Sequence, residues 1–144
     1  MWTEAKVRDV VRKPLITVNV NDSVKYVAKL LVEKNISGVV VLDNGKPVGL
    51  VTERDLVSKV LARDREAADL KAGDIMSSPL ITVDVDTSLS EAVDLMNRYR
   101  IRRLVVSEGG NIVGIFTLRD IIGLERICGY CTKSIKPNLI TRPG

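Results

Sequence analysis

GLVTERD, at residues 49–55, returns as GIFTLRD at residues 114–120, so the pattern Gly-x-x-Thr-x-Arg-Asp occurs twice, 65 residues apart. Moving the chain along itself by this distance aligns residues 14–57 with residues 79–122 without a gap. The alignment contains 17 identities, and PLITV begins both copies. A gapless match of this quality indicates an internal duplication.

Length and composition indicate an aliphatic globular chain. Of the 144 residues 45% are hydrophobic but only five are aromatic, so the core must consist of Val, Ile and Leu. The net charge of +4, with signs that alternate along the chain, is typical of a solvated surface and suits an anionic small ligand. Residues 1–14, MWTEAKVRDVVRKP, lack the apolar core of a secretory signal, and no apolar run approaches the roughly 18 residues of a membrane span. We therefore expect a cytoplasmic protein.

Each copy predicts the element order β-α-β-β-α. Apolar residues at helical spacing predict a helix after the first strand, and Ser88-Leu-Ser-Glu91 has the form of a capping box. Asp43-Asn44-Gly45 indicates a tight hairpin between the second and third strands. A second helix is predicted to begin near Glu53 and near Leu118. The predicted strands are 15–18, 39–42 and 47–51 in the first copy and 80–83, 104–107 and 112–116 in the second.

The size of one copy favours packing of the two copies together. A unit of roughly 60 residues is too small to bury both faces of its own sheet. We therefore predict an α/β fold with two β-α-β-β-α repeats, related by a pseudo-twofold axis, whose sheets pack face to face with the helices outside. Residues 58–73 are interpreted as the end of a helix and a polar connection. The predicted segments are a first repeat with an N-terminal lead at 1–64, a second repeat at 65–126 and a tail at 127–144.

The repeated closing motif allows two interpretations. In the first, Thr52-x-x-Asp55 and Thr117-x-x-Asp120 are helix-capping boxes, and Gly49 and Gly114 permit close strand packing. In the second, a strand that ends at a helix start offers free N–H groups to a phosphate. The Asp carboxylate then matches the paired hydroxyls of a ribose, and Arg54 and Arg119 add positive charge. Together these groups describe a nucleoside phosphate site without catalytic residues.

A wider set of motifs resembles a known family. PLITV followed by an acidic or Asn turn, ISGVVV at 36–41, IRRLVV at 101–106 and the two closing motifs resemble a tandem pair of cystathionine-β-synthase (CBS) domains, known as a Bateman module. The resemblance covers about four-fifths of the chain. It implies a stand-alone, non-catalytic sensor that binds AMP, ADP, ATP or S-adenosylmethionine in two crevices between the repeats. It also implies a homodimer that signals to an effector protein which the sequence does not identify.

The resemblance further implies how each crevice is composed. The Asp120 crevice combines one closing motif with the first strand and pre-hairpin segment of the other repeat, namely Thr117, Arg119 and Asp120 with Thr17, Ile36 and Ser37. The Asp55 crevice combines Thr52, Arg54 and Asp55 with Thr82, Ile101 and Arg102. Aliphatic side chains would hold the base, among them Ile36, Ile115 and Leu118. Arg103 aligns with Gly38 and is expected to reach the phosphate, so that the Asp120 crevice binds phosphorylated ligands more tightly.

Two further features suggest weaker alternatives. The basic cluster of Arg98, Arg100, Arg102 and Arg103 is interpreted as a solvated helix end, and without interleaved aromatic residues nucleic-acid binding is not expected. CGYC at 128–131 resembles half of a zinc ribbon. Two thiols in a chain without His are too few for a closed zinc site, so no metal site is predicted. The alternatives to a sensor are a ligand-free dimerisation scaffold and a small metal or redox protein that acts through Cys128 and Cys131.

Overall fold

The computed structural model describes residues 5–11, 14–78, 80–118 and 120. Within these residues each repeat has a short parallel strand, a long helix and a β-hairpin. The elements of repeat one are β1 (Thr17–Asn19), α1 (Val24–Lys34), β2 (Gly38–Asp43), β3 (Lys46–Thr52) and α2 (Glu53–Lys59). After α3 (Ala72–Ile75), repeat two continues with β4 (Thr82–Asp84), α4 (Leu89–Tyr99), β5 (Arg103–Glu108) and β6 (Asn111–Thr117).

Two three-stranded sheets, in the orders β1-β2-β3 and β4-β5-β6, confirm the predicted α/β duplication. In each sheet the first strand is parallel to the second, and the second and third form an antiparallel hairpin. Asn44 and Gly45 both have positive φ angles (51° and 80°), as a two-residue hairpin turn requires. The first strand of each repeat begins two residues later than predicted, at Thr17 and at Thr82. In repeat one the two preceding residues, Leu15 and Ile16, line a cavity between the repeats.

The long helices begin and end at sequence signals. The Ser23 and Ser88 hydroxyls accept hydrogen bonds from the backbone N–H groups of Tyr26 (3.1 Å) and Glu91 (3.2 Å) at the starts of α1 and α4. Each helix ends at a residue in the left-handed conformation, Asn35 or Arg100. On their inner faces Val24, Val27 and Leu31 of α1, and Leu89, Ala92 and Met96 of α4, are buried.

The segment before each repeat packs on the other repeat. Val7 is fully buried in the core of repeat two, and its N–H donates to the Thr87 carbonyl (2.9 Å). In the equivalent arrangement 65 residues later, the Ala72 N–H donates to the Asp22 carbonyl (2.8 Å), and Ala72 and Ile75 are buried in the core of repeat one. Each fully buried aliphatic side chain of Val or Ile size contributes about 1.5–3 kcal/mol. The exchanged leads therefore tie the two repeats into one unit.

The exchange changes the interpretation of residues 58–73. We predicted a helix end and a polar connection, and α2 does end at Lys59. Val60, Leu70 and Ala72 are nevertheless buried in the core of repeat one, so the connection is apolar at the positions that cover this core. Residues 61–66, of which 63–66 are charged, are exposed.

Candidate functional site

A cavity of about 290 Å³ lies between the repeats. Repeat one contributes the segment before β1, the turn from α1 to β2 and the first residue of α2, whereas repeat two contributes the start of β5 and the end of β6. Because Ile36, Ser37 and Thr117 line it, the cavity is the Asp120 crevice. The lining residues are Pro14, Leu15, Ile16, Asn35, Ile36, Ser37, Gly38, Glu53, Arg102, Arg103, Ile115, Thr117 and Leu118.

The walls of this cavity combine apolar surface with groups of both charges. Ile36 and Ile115 are half-buried, and Leu118 is 43% exposed. Arg102 and Arg103 bring two positive charges, and Glu53 brings one negative charge. A concave apolar surface with a few convergent polar groups is the usual composition of a small-molecule site.

The closing motif of repeat two lies at the edge of the cavity. The Thr117 N–H and hydroxyl both donate to Asp120 Oδ2, at 2.8 Å and 3.1 Å. Asp120 is only 8% exposed, and Thr117, which lines the cavity, is half-buried. The carboxylate therefore fixes Thr117, as the capping interpretation requires, and Thr117 faces the space where a ligand fits.

Arg103 crosses from repeat two to repeat one at the cavity. Its Nε donates to the Ser37 hydroxyl at 3.2 Å. Gly38 faces the same side chain, since a Cβ at this position would meet Arg103 Cδ and Nε at 3.5 Å. Gly38 of repeat one thus leaves room for the side chain of Arg103, which occupies the equivalent position in repeat two. Because Arg103 is half-buried, water and salt screen its charge less than they screen the charge of an exposed arginine.

The closing motif of repeat one has the same local geometry but different surroundings. The Thr52 N–H and hydroxyl donate to Asp55 Oδ2 at 2.9 Å and 3.1 Å, and the Asp55 N–H donates back to Thr52 Oγ1, which completes the predicted capping box. Asp55 Oδ1 lies 3.1 Å from the Lys59 ammonium and accepts from the Ser77 hydroxyl at 3.4 Å. Lys59 also donates to the Ile75 carbonyl at 2.8 Å.

The backbone of β3 near Gly49 is covered by the chain itself. Leu50 and Ser77 exchange two backbone hydrogen bonds, of 3.0 Å and 2.8 Å. A Cβ on Gly49 would lie 2.5 Å from Met76 Sδ, so Met76 occupies the space beside the glycine. The structure therefore shows close packing of a chain segment against this glycine.

The structure brings together seven of the predicted site residues. Ile36, Ser37, Arg102, Arg103, Ile115, Thr117 and Leu118 all line the cavity. Arg102 was assigned to the Asp55 crevice and instead lies in the Asp120 crevice. Thr17 is not among the lining residues. It pairs with Val40 in the sheet, and residues 14–16 lie at the cavity in its place.

The remaining predicted residues lie elsewhere. Arg54 is exposed on α2, Thr82 is exposed on β4 and Ile101 is half-buried before β5. Arg119, Cys128 and Cys131 lie outside the described residues. Sequence reasoning missed Glu53, because the duplication places the equivalent of Leu118 in the Asp55 crevice, whereas Glu53 and Leu118 line the same cavity.

Metal sites and membrane-spanning helices are two further classes of feature. In residues 5–11, 14–78, 80–118 and 120, no cluster of three or more Cys, Asp or Glu side chains is placed to hold a metal ion. Among the helices of the same residues, none combines the length and the apolar character needed to cross a bilayer.

The chain is similar to several known proteins. The sequence profile of the CBS domain matches residues 7–62 and again residues 72–126. An uncharacterised protein of Methanopyrus kandleri is 39% identical over 121 residues, which are 83% of this chain and 62% of that protein. The chain therefore spans less than two thirds of the length of this relative.

Solved structures show the same architecture. An uncharacterised conserved protein of Pyrococcus horikoshii superposes with a TM-score of 0.81 at 32% identity, over 88% of this chain and 96% of that one. The CBS domain pair of protein MJ0100, in complex with 5′-methylthioadenosine and S-adenosyl-L-methionine, superposes with a TM-score of 0.76 at 31% identity, over 86% and 98% of the two chains. The two profile matches coincide with the two repeats of the fold, and the chain belongs to the CBS domain family.

Proposed function

We propose that this CBS domain pair is a regulatory module that binds an adenosine-containing ligand, namely AMP, ADP, ATP or S-adenosylmethionine, in the Asp120 crevice. The observation that carries the proposal is the cavity of about 290 Å³ in which groups from both repeats converge. A ligand that contacts both repeats changes how they sit against each other, which is how binding is passed on without catalysis.

The groups that line the cavity match the parts of such a ligand. Ile36, Ile115 and Leu118 offer an apolar slot of the kind that a planar base fills. The half-buried Arg103 offers a guanidinium to phosphate or carboxylate oxygens, and the Thr117 hydroxyl, which donates to Asp120, offers its oxygen as an acceptor to a ligand hydroxyl or amino group. The domain pair of MJ0100, whose ligands are both adenosine derivatives, supports this ligand class by similarity.

Thermal unfolding with a panel of ligands tests the proposal. A ligand at 100 times its dissociation constant stabilises the folded state by about 2.7 kcal/mol. We expect at least one of AMP, ADP, ATP and S-adenosylmethionine to raise the melting temperature. Guanosine monophosphate tests the choice of base, and ribose 5-phosphate tests whether the base is needed. If no adenosine compound raises the melting temperature, the chain is the ligand-free scaffold instead.

We also propose that the module forms a homodimer through the outer faces of its helices. Tyr26 (49%) and Val32 (80%) on α1 and Val57 (57%) on α2 are large apolar side chains that remain exposed in the single chain. Light scattering coupled to size exclusion should give twice the chain mass of 15.8 kDa. A mass of 15.8 kDa at micromolar concentration would contradict the dimer.

A further inference from the structure

We propose that Lys59 occupies the Asp55 crevice as an internal substitute for a ligand, so that the protein binds one adenosine-containing ligand per chain instead of two. This inference rests on the proposed function, because it concerns the number of sites for the same ligand class. It follows from what surrounds Asp55, the equivalent in repeat one of the cavity-edge Asp120.

The oxygens of Asp55 are already engaged. A carboxylate has about four acceptor positions. Oδ2 accepts from the Thr52 N–H (2.9 Å) and hydroxyl (3.1 Å), and Oδ1 faces the Lys59 ammonium (3.1 Å) and the Ser77 hydroxyl (3.4 Å). The Thr52 hydroxyl donates to Asp55 in the same way as the Thr117 hydroxyl donates to Asp120, so the Thr–Asp pair by itself does not exclude a ligand. A ribose that approached this pair would have to displace Lys59 or Ser77.

Lys59 is held in place by more than its ion pair. Its ammonium also donates to the Ile75 carbonyl at 2.8 Å and lies 3.5 Å from the Ser77 hydroxyl. The side chain of Asp55 is 9% exposed and that of Lys59 is 33% exposed, so water screens the pair only in part. Displacement of the ammonium would leave the Asp55 carboxylate buried without its counter-charge, which opposes ligand entry.

Met76 and Ser77 lie against the edge of β3. Ser77 is joined to Leu50 by backbone hydrogen bonds in both directions, and Met76 fills the space beside Gly49. Met76 and Ser77 therefore cover the edge of β3 beside Gly49 and Leu50, and Lys59 closes the polar end of the crevice.

The duplication supplies a natural comparison. The residue 65 positions after Lys59 is Leu124, which carries no charge, so repeat two has no ammonium from this position for Asp120. Leu124 itself lies outside the described residues. The substitution Lys59→Leu thus gives repeat one the residue that repeat two has.

Calorimetric titration with AMP, and separately with S-adenosylmethionine, tests the inference by stoichiometry. We expect one ligand per chain for the wild-type protein and two for Lys59→Leu, with the first affinity unchanged within about twofold. Lys59→Gln, which keeps a hydrogen-bond donor but removes the charge, is a second variant in case Leu impairs folding, and it should also bind two. Lys59→Arg is the matched control, which should keep a stoichiometry of one. Thermal unfolding of each variant establishes that it is folded.

Each other outcome overturns a defined part of the argument. Two ligands on the wild-type protein, or one ligand on folded Lys59→Leu and Lys59→Gln, would disprove the role of Lys59 and leave the proposed function intact. A loss of binding in Lys59→Leu would make Lys59 a ligand contact and also disprove closure. If neither ligand binds the wild-type protein or any variant, the proposed function fails, and this inference fails with it.

Discussion

The Asp120 crevice and the Asp55 crevice share their local motif but differ at several positions beside it. In both, the Thr N–H and hydroxyl donate to the Asp carboxylate at almost equal distances, and the two Asp residues are similarly buried. The residues beside the motifs diverged after duplication, with Arg103 opposite Gly38, Leu118 opposite Glu53 and Leu124 opposite Lys59. The comparison indicates that the motif guarantees a helix cap, and that the neighbouring residues decide whether the cap also serves a ligand.

The largest effect is expected when the Asp carboxylate is neutralised in each crevice in turn. We expect Asp120→Asn to weaken binding of the adenosine-containing ligand more than tenfold, because charge-assisted hydrogen bonds contribute about 1.5–3 kcal/mol each. The melting temperature should change little, since Asn also accepts hydrogen bonds at a helix start. Asp55→Asn is the matched control and should leave the affinity unchanged. Calorimetric affinities decide the question, and equal affinities for Asp120→Asn and the parent would reduce Asp120 to a cap.

Arg103 tests the charge difference between the crevices. Arg103→Ala should weaken AMP binding by roughly ten- to a hundredfold, the equivalent of about 1.5–3 kcal/mol for a half-buried charge-assisted contact. The affinity for adenosine, which lacks the phosphate, should hold. Arg98→Ala removes the same charge from an exposed position on α4 and serves as the control. Unchanged AMP affinity in Arg103→Ala would mean that Arg103 does not contact the phosphate.

Gly49 tests how tightly the Asp55 crevice is packed. A methyl group at this position would lie 2.5 Å from Met76 Sδ and 3.0 Å from the Ser77 carbonyl oxygen. We expect Gly49→Ala to destabilise the fold by about 1–3 kcal/mol, which lowers the melting temperature by roughly 3–10 °C. Gly38→Ala, whose new methyl meets its neighbours at 3.4–3.5 Å, should melt close to the parent. Similar melting of both variants would show that Met76 moves aside easily.

The smallest effect is expected at the cysteines, which belong to neither crevice motif. Changing Cys128 and Cys131 to Ser should alter neither the melting temperature nor the affinity for AMP, because two thiols are too few ligands for a closed zinc site. Elemental analysis of the purified protein provides the check. Stoichiometric zinc that is lost together with the dimer in the double variant would contradict this expectation.

The sequence predicted the parts of the fold that depend on neighbouring residues. The hairpin at Asn44-Gly45, the helix start at Ser88 and the Thr–Asp hydrogen bonds of both closing motifs all follow from signals within a few residues. The exchange of the leads did not follow. Since the chain is duplicated, Val7 and Ala72 present similar apolar surface to either repeat, and periodicity does not say which core a segment covers.

The candidate site was predictable to a similar degree. The motif residues Thr117 and Thr52 were identified, because a hydroxyl before an acidic residue has a recognisable spacing. The ion pair between Asp55 and Lys59 also has a sequence signal, the i,i+4 spacing of opposite charges on a helix. It was overlooked because the same spacing is common on solvated surfaces, and only burial distinguishes the two cases.

The exchanged leads set an order of assembly during synthesis. The core of repeat one is complete once residue 76 has been made, because its covering segment follows it directly. The core of repeat two needs Val7, made at the beginning, to meet Phe116, made near the end of the described chain. Closing so long a loop is slow compared with local contacts. We expect pulse-labelled amide exchange during refolding to show protection of Val40 before Val105. We also expect a bulky fusion ahead of residue 5 to destabilise repeat two, although repeat one is nearer to it along the chain.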